Sequence, residues 1–226
     1  MPSTKLQVSV IICTLNEAEN LPHVLPRIPG WVDEVIIVDG RSTDGTIQLA
    51  ERLCPRARIL MQPGRGKGNA LRYGISQASS EIVVTLDADG EMDPALIGAF
   101  VDALRAGYDF AKGSRLASGK PSRMSSFRYL GNRILTLAFN LLYSTKFTDV
   151  CSGYNAFWRE AFLRIPLTYD GFHMDQQLLA RAMKSGLRII EVPHHSEGRI
   201  AGRSKTIGLK QGVIDLWVLV RERLCA

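Results

Sequence analysis

Residues 81–94 read EIVVTLDADGEMDP, an apolar run that breaks off into acidic residues at alternate positions. A run this apolar, with no alternation, suits a strand buried on both faces, which is the state of a strand in a parallel sheet covered by helices. Working outward, Val8 to Cys13 and Glu34 to Asp39 are runs of the same kind. They are separated by a stretch that opens at Asn16 and carries Glu17 and Glu19 before Leu21, Val24 and Leu25. The spacing predicts helices over about 43–53 and 67–78, with a strand at 57–61 between them. Strand and helix therefore alternate. The expected fold class is α/β, a mostly parallel sheet flanked by helices, in a single domain over 1–226 without repeat or linker.

The remaining segments are less regular. Ala117 to Ser126 is rich in Ser, Gly, Lys and Arg and reads as a mobile basic loop. Helical spacing of Leu130, Ile134, Leu137, Ala138 and Leu141 predicts a helix over 129–143, and a second helix is expected over 174–185. A strand over 188–192 is stopped by Pro193, and the C-terminal stretch 207–224 has a roughly helical period.

The 46% hydrophobic content with 22% charged residues excludes wholesale disorder. The net charge of +6 suits nucleic acid, an anionic membrane surface or a phosphorylated ligand, and does not choose among them. Cys13, Cys54, Cys151 and Cys225 form no CxxC pair, which fits reduced thiols in a cytosolic compartment. The first apolar run stops at Thr14, too early for a signal peptide, and no run of ~18 apolar residues exists to cross a bilayer. Membrane contact, if any, is expected to be peripheral.

In open α/β sheets ligands bind beyond the carboxyl ends of the strands, so Thr14 to Glu17, Asp39 to Arg41 and Asp87 to Glu91 should meet at one crevice. Asp87, Asp89 and Glu91 offer hard oxygen ligands for magnesium or manganese. Acidic residues also cap helices, and Asp93 before Pro94 suits that task; one carboxylate is enough for it. An EF-hand register is absent. Asp39 can accept hydrogen bonds from a ribose or base, or can close a capped turn with no ligand. Gly64-Arg-Gly-Lys67-Gly-Asn-Ala70 can approach a phosphate through backbone amides, but it lacks the Lys-Ser or Lys-Thr of a Walker loop. Adjacent His194 and His195 point apart on a strand and make no zinc set.

Taken in order, CTLNEAENLP, VDGRSTDGT, GRGKGNA, DADGEMDP, GSR, TDVCSGYNAF and RIAGRSK resemble the family 2 glycosyltransferases of the GT-A (Rossmann-like) fold. Within them, the dolichyl- or polyprenyl-phosphate mannosyltransferase-like branch is the nearest likeness, over about 8–205. The resemblance implies a metal-dependent inverting transferase that moves a hexose from GDP-mannose or a UDP-sugar to a polyprenyl phosphate at the cytoplasmic face of a membrane. It implies a nucleotide-sugar half over about 8–115 and an acceptor half over about 116–226.

The nucleotide-sugar would meet Cys13, Leu15, Glu17, Asp39, Lys67, Asp87, Ala88, Asp89, Arg115 and His173. Cys13 and Leu15 stand where the family often has proline and tyrosine. Mg2+ or Mn2+ would be held by Asp87, Asp89 and Glu91, the last standing where glutamine is common. Arg115, Arg128, Arg199 and Lys205 would grip the acceptor phosphate, and Asp89, Arg115, Asp149 and Lys205 would carry catalysis. An anionic acceptor oxygen needs positioning cations more than a base. For a hydroxyl acceptor, the alternative reading of a soluble family 2 enzyme, Asp149 or Asp175 would be the base. A non-catalytic nucleotide- or nucleic-acid-binding protein is the third reading, and it wastes the acidic triplet. The helix over 129–143, flanked by Arg123, Arg128, Arg133 and Lys146, has the composition of an interfacial helix or of an amphipathic helix facing a core.

Overall fold

The structure, a computed structural model, describes residues 6–196, 198–202 and 208–224. A seven-stranded sheet runs in the order β3-β2-β1-β4-β6-β5-β7, formed by β1 (Val8–Thr14), β2 (Glu34–Asp39), β3 (Arg58–Met61), β4 (Ile82–Asp87), β5 (Phe110–Ser114), β6 (Asn155–Trp158) and β7 (Ile189–Pro193). All pairings are parallel except those of β6, which runs against both β4 and β5. The continuous sheet carries strands from both the first and the second half of the chain.

Alternate residues of the central strands feed two cores. Val10, Ile12, Val35, Ile37, Val84 and Leu86 face one side, which also buries Ile97, Phe100, Val101 and Leu104 of α4 (Ile97–Arg105). The short α1 (Leu21–Val24) and α2 (Thr46–Leu53) cover the same side. Ile11, Ile36, Val38 and Val83 face the other side, packed by α3 (Lys67–Gln77), α5 (Ser126–Tyr143), α7 (Met174–Lys184) and α8 (Gly208–Leu224). The period of two along each strand is what splits one apolar run between two layers. The short α6 (Arg159–Leu163) follows β6 directly and adds Phe162 to this second core.

Helix α3 lies unusually close to the sheet. A Cβ at Gly74 would stand 2.7 Å from Ile11 and 2.8 Å from Val38, so a side chain there would lift the helix. That closeness brings the start of α3, with Lys67, down to the strand ends. Helix α5 begins three residues before the expected boundary because the Ser125 side chain accepts from the Arg128 amide at 3.2 Å and caps it. No helix among the described residues is long and apolar enough to cross a membrane.

Candidate active site

The C-terminal ends of β1, β2, β4 and β5 open into a cleft of about 1120 Å³. That exceeds the space one small ligand needs and suits a donor and an acceptor together. Because β6 is reversed, the loop before it, with Cys151 and Gly153, reaches the same edge. Gly153 is required by this approach: a Cβ there would stand 2.7 Å from Lys67 Nζ and 2.9 Å from Asp87 Oδ2. Helices α5 and α8 form the outer wall through Asn132, Leu135, Gln211 and Asp215.

Asp87 and Asp89 lie where the acidic motif leaves β4. Lys67 Nζ is 2.7 Å from Asp87 Oδ1 and 3.4 Å from Asp175 Oδ2, so one ammonium group bridges two carboxylates. Burial opposes that charge, but Asp175 and Asp87 outweigh it and hold the Lys67 pKa above its usual range. Asp89 accepts from the Glu91 amide at 3.0 Å and has Arg199 Nη1 at 3.7 Å. Burial, then the charges of Asp87 and Glu91, push its pKa up to about 6.

Glu91 departs from the expected ligand triplet. Its carboxylate is taken by Arg128 at 3.1 Å and Ser196 Oγ at 2.8 Å, with Arg115 Nη1 at 3.7 Å. Burial would raise its pKa, yet Arg115 and Arg128 bring it below the usual value. Among the described residues no three His, Cys, Asp or Glu side chains gather as a metal site. The two aspartates still fit a hard cation that draws its other ligands from a diphosphate and water. The observation that favours it is that the cation paired with Asp89 among the described residues, Arg199, stands back at 3.7 Å.

Asp149 is fully buried and does not line the cleft. It holds Arg115 by a fork, Nε at 2.7 Å and Nη2 at 3.1 Å, and accepts from the Cys151 amide at 2.8 Å. Burial would raise its pKa, but the Arg115 charge drives it far below the carboxylate range. A base needs an accessible lone pair and a pKa near the working pH, so this carboxylate is a fixed counter-ion for Arg115, not a proton acceptor. Glu191 of β7 accepts from the Thr148 and Asp149 amides at 2.9 and 3.0 Å and holds the loop.

Arg199 reaches the far side of the cleft, where it pairs with Glu17. Asn20 accepts from the Ala201 amide at 2.8 Å, and the Ile200 amide donates to the Asp89 carbonyl at 3.1 Å. The segment 198–202 is thereby strapped across the acidic loop. Cys13, Leu15, Glu17, Lys67, Asp87, Ala88, Asp89, Arg115, Arg128 and Arg199 all line the cleft.

Two expected contacts do not. Asp39 is fully buried and accepts from Thr14 Oγ1 at 2.8 Å and from the Ser42 amide at 2.7 Å, so it closes the turn, and its neighbours Gly40 and Arg41 meet the cleft. His173 precedes α7, edge-on to Tyr169 with ring centroids 4.7 Å apart, outside the lining. Lys205 lies outside the described residues. Gln62, Asn132, Gln176, Gln211 and Asp215 are cleft residues that sequence reasoning missed; none sits in a motif with a chemical signature.

The profile of "Glycosyl transferase family 2" matches residues 9–165. Glycosyltransferase AglJ of Haloferax volcanii is 36% identical over 82% of this chain, which spans 61% of AglJ's length. Polyprenol monophosphomannose synthase of Mycolicibacterium smegmatis is 32% identical over 88% of this chain and 80% of its own. Among solved structures, glucosyl-3-phosphoglycerate synthase from Mycobacterium tuberculosis, in complex with Mn2+, uridine diphosphate and phosphoglyceric acid, superposes with a TM-score of 0.77. The match covers 98% of this chain and 80% of that one; at 23% identity it speaks for the GT-A fold alone. With the acidic loop at the end of β4 and the cleft it faces, these likenesses place the chain in glycosyl transferase family 2, within the branch that includes the polyprenyl-phosphate mannosyltransferases.

Proposed function

We propose that the protein transfers a hexose, with inversion, from a nucleoside diphosphate sugar to a polyprenyl phosphate. The observation that carries this reading is the shared cleft: Asp87 and Asp89 face Arg115, Arg128 and Arg199 in a space large enough for both substrates. Magnesium or manganese would be held by Asp87 and Asp89 and would supply positive charge to the donor diphosphate. Lys67, already at Asp87, lies where it neutralises charge growing on the departing nucleoside diphosphate. Arg115 cannot swing, because Asp149 fixes its fork, so it presents one guanidinium edge in a set place. Arg128 is 44% exposed and lies on the outer helix α5, which suits the gathering of an incoming anionic headgroup. The acceptor's phosphate oxygen is ionised near neutral pH and attacks the anomeric carbon without a protein base. Lys205, two residues past Arg203 in the basic C-terminal motif, is expected to join these cations.

The outer faces of α5 and α8 support a lipid acceptor. Phe127, Leu130, Ile134, Leu137 and Leu141 on α5, and Val213, Trp217, Val220 and Leu224 on α8, are exposed on two helices that pack together. Exposed Arg123, Arg133, Lys146, Arg221 and Arg223 flank them. An apolar stripe rimmed by cations suits the face of an anionic leaflet, so the enzyme would work as a peripheral protein at the cytoplasmic surface. One observation favours a hydroxyl acceptor instead: Asp175, a cleft carboxylate, has no arginine partner among the described residues.

The test is nucleotide release with manganese and a panel of GDP- and UDP-sugars, with and without polyprenyl phosphate. Turnover that requires the lipid phosphate is expected, and Asp89→Asn should lower it at least ~100-fold with unchanged circular dichroism. Turnover with a sugar hydroxyl and none with lipid would sink the reading.

A further inference from the structure

The cationic and acidic groups of the cleft are segregated. Arg115, Arg128 and Arg199 gather around Glu91, Asp89 and Glu17. Asp175 and Asp215 have no arginine partner among the described residues, and they face each other's elements: Asp175 opens α7 and Asp215 lies on α8. Asp215 is 7% exposed and is held by Gln211 Nε2 at 2.7 Å. Burial, and then the charge of Asp175, lifts its pKa to about 6.

Polar atoms in this corner lack protein partners. Asp175 Oδ1, Gln176 Oε1 and Asn132 Nδ2 are buried with no hydrogen-bond partner among the described residues, although Gln176 is only 4% exposed. A buried polar atom left unpaired is destabilising, so three on the lining of one cleft mark a ligand that pairs them. The corner is rich in acceptors. A phosphate or carboxylate brings no donors and is repelled; a ring of hydroxyls brings several and carries no charge. Position agrees: Lys67 bridges Asp87 and Asp175, so this corner begins one ammonium group away from the carboxylate nearest the diphosphate. A sugar attached to the second phosphate falls there.

We infer that Asn132, Gln176 and Asp215, beside Asp175, form the subsite that reads the hydroxyls of the donor hexose and rejects an anionic sugar. This rests on the donor reading above. Asn132 and Asp215 make the two lipid-side helices part of sugar selection, so the enzyme checks its donor with the same elements that admit its acceptor.

Calorimetry on the intact protein with Mn2+ tests it, comparing UDP, UDP-glucose and UDP-glucuronate, and GDP, GDP-mannose and GDP-mannuronate. The unmodified protein should bind the neutral sugar nucleotide roughly tenfold more tightly than the uronate of the same base. Asp215→Asn should leave the affinity for the bare diphosphate within about twofold and shrink the uronate penalty at least about fivefold. Asn132→Ala, on a different helix, should erode the gain from the neutral sugar with the bare diphosphate again unaffected. Equal affinity of the unmodified protein for hexose and uronate overturns the subsite, as does an unchanged penalty and sugar gain in both variants. Failure of the unmodified protein to bind any of these nucleotides overturns the donor reading itself.

Discussion

Asp149 and Glu91 are both carboxylates buried beside arginines, and the difference in their partners gives them different roles. Asp149 is spent entirely on Arg115 and two amides, so Asp149→Asn leaves a buried guanidinium without its counter-charge. The expected loss is about 3–5 kcal/mol in urea unfolding, together with loss of transfer. Glu91 shares its charge with the half-exposed Arg128, which is free to exchange it for a phosphate. His194 makes a pH prediction. It is 5% exposed, has Ser152 Oγ 3.0 Å from Nε2, and is pushed down by burial to about 4 from an ordinary 6.5. The unfolded chain takes up this proton first, so the stability tied to neutral His194 is present above pH 6.5 and is lost as pH falls toward 4. The full loss is about 3 kcal/mol, and His194→Gln should flatten the slope of unfolding free energy between pH 7 and 4.5. The acidic loop was legible because alternate carboxylates at a strand end have no structural use in common. The Asp149–Arg115 fork was not, since its two halves lie 34 positions apart and only the antiparallel return of β6 joins them.

Among the elements, strands β1, β2 and β4 declared themselves, because burial on both faces makes each a run of mostly apolar, β-branched residues. β5 and β6 did not. Phe110–Ser114 contains a lysine, buried against the Ser152 carbonyl, and Asn155–Trp158 has four residues, none β-branched. Helix α5 was found but its inner face was not: an amphipathic pattern assigns polar residues to solvent, whereas Asn132 lines the cleft with its Nδ2 buried. Helix α3 carries its own test. Gly74→Ala gains helix propensity of about 1 kcal/mol but drives a methyl into Ile11 and Val38. A net loss of about 1–3 kcal/mol is expected, with weaker nucleotide affinity as Lys67 is displaced; a stabilised variant would show that α3 is free to rise.

Over the whole molecule, an excess of six positive charges and an apolar two-helix face act together. Cosedimentation with vesicles should require anionic lipid and weaken as salt rises from 0.05 to about 0.5 M, because the Debye length contracts below the reach of the flanking arginines. Replacing Leu137 and Leu141 with Gln should reduce that binding at least ~5-fold without moving the unfolding midpoint, since both side chains are exposed. Binding indifferent to both changes would assign the stripe to another contact.

The reversed strand β6 has a consequence for the growing chain. β4 is bordered by β1 on one side and β6 on the other, so its second edge stays bare until Trp158 has been made, about 70 residues after Asp87. At roughly 5–20 residues per second on the ribosome, that is an interval of about 4–14 s in which a largely apolar strand offers its amides to any neighbour. The nucleotide-side half therefore does not close by itself. A nascent chain stalled at residue 115 should recruit chaperones, whereas one stalled well past residue 158 should release them.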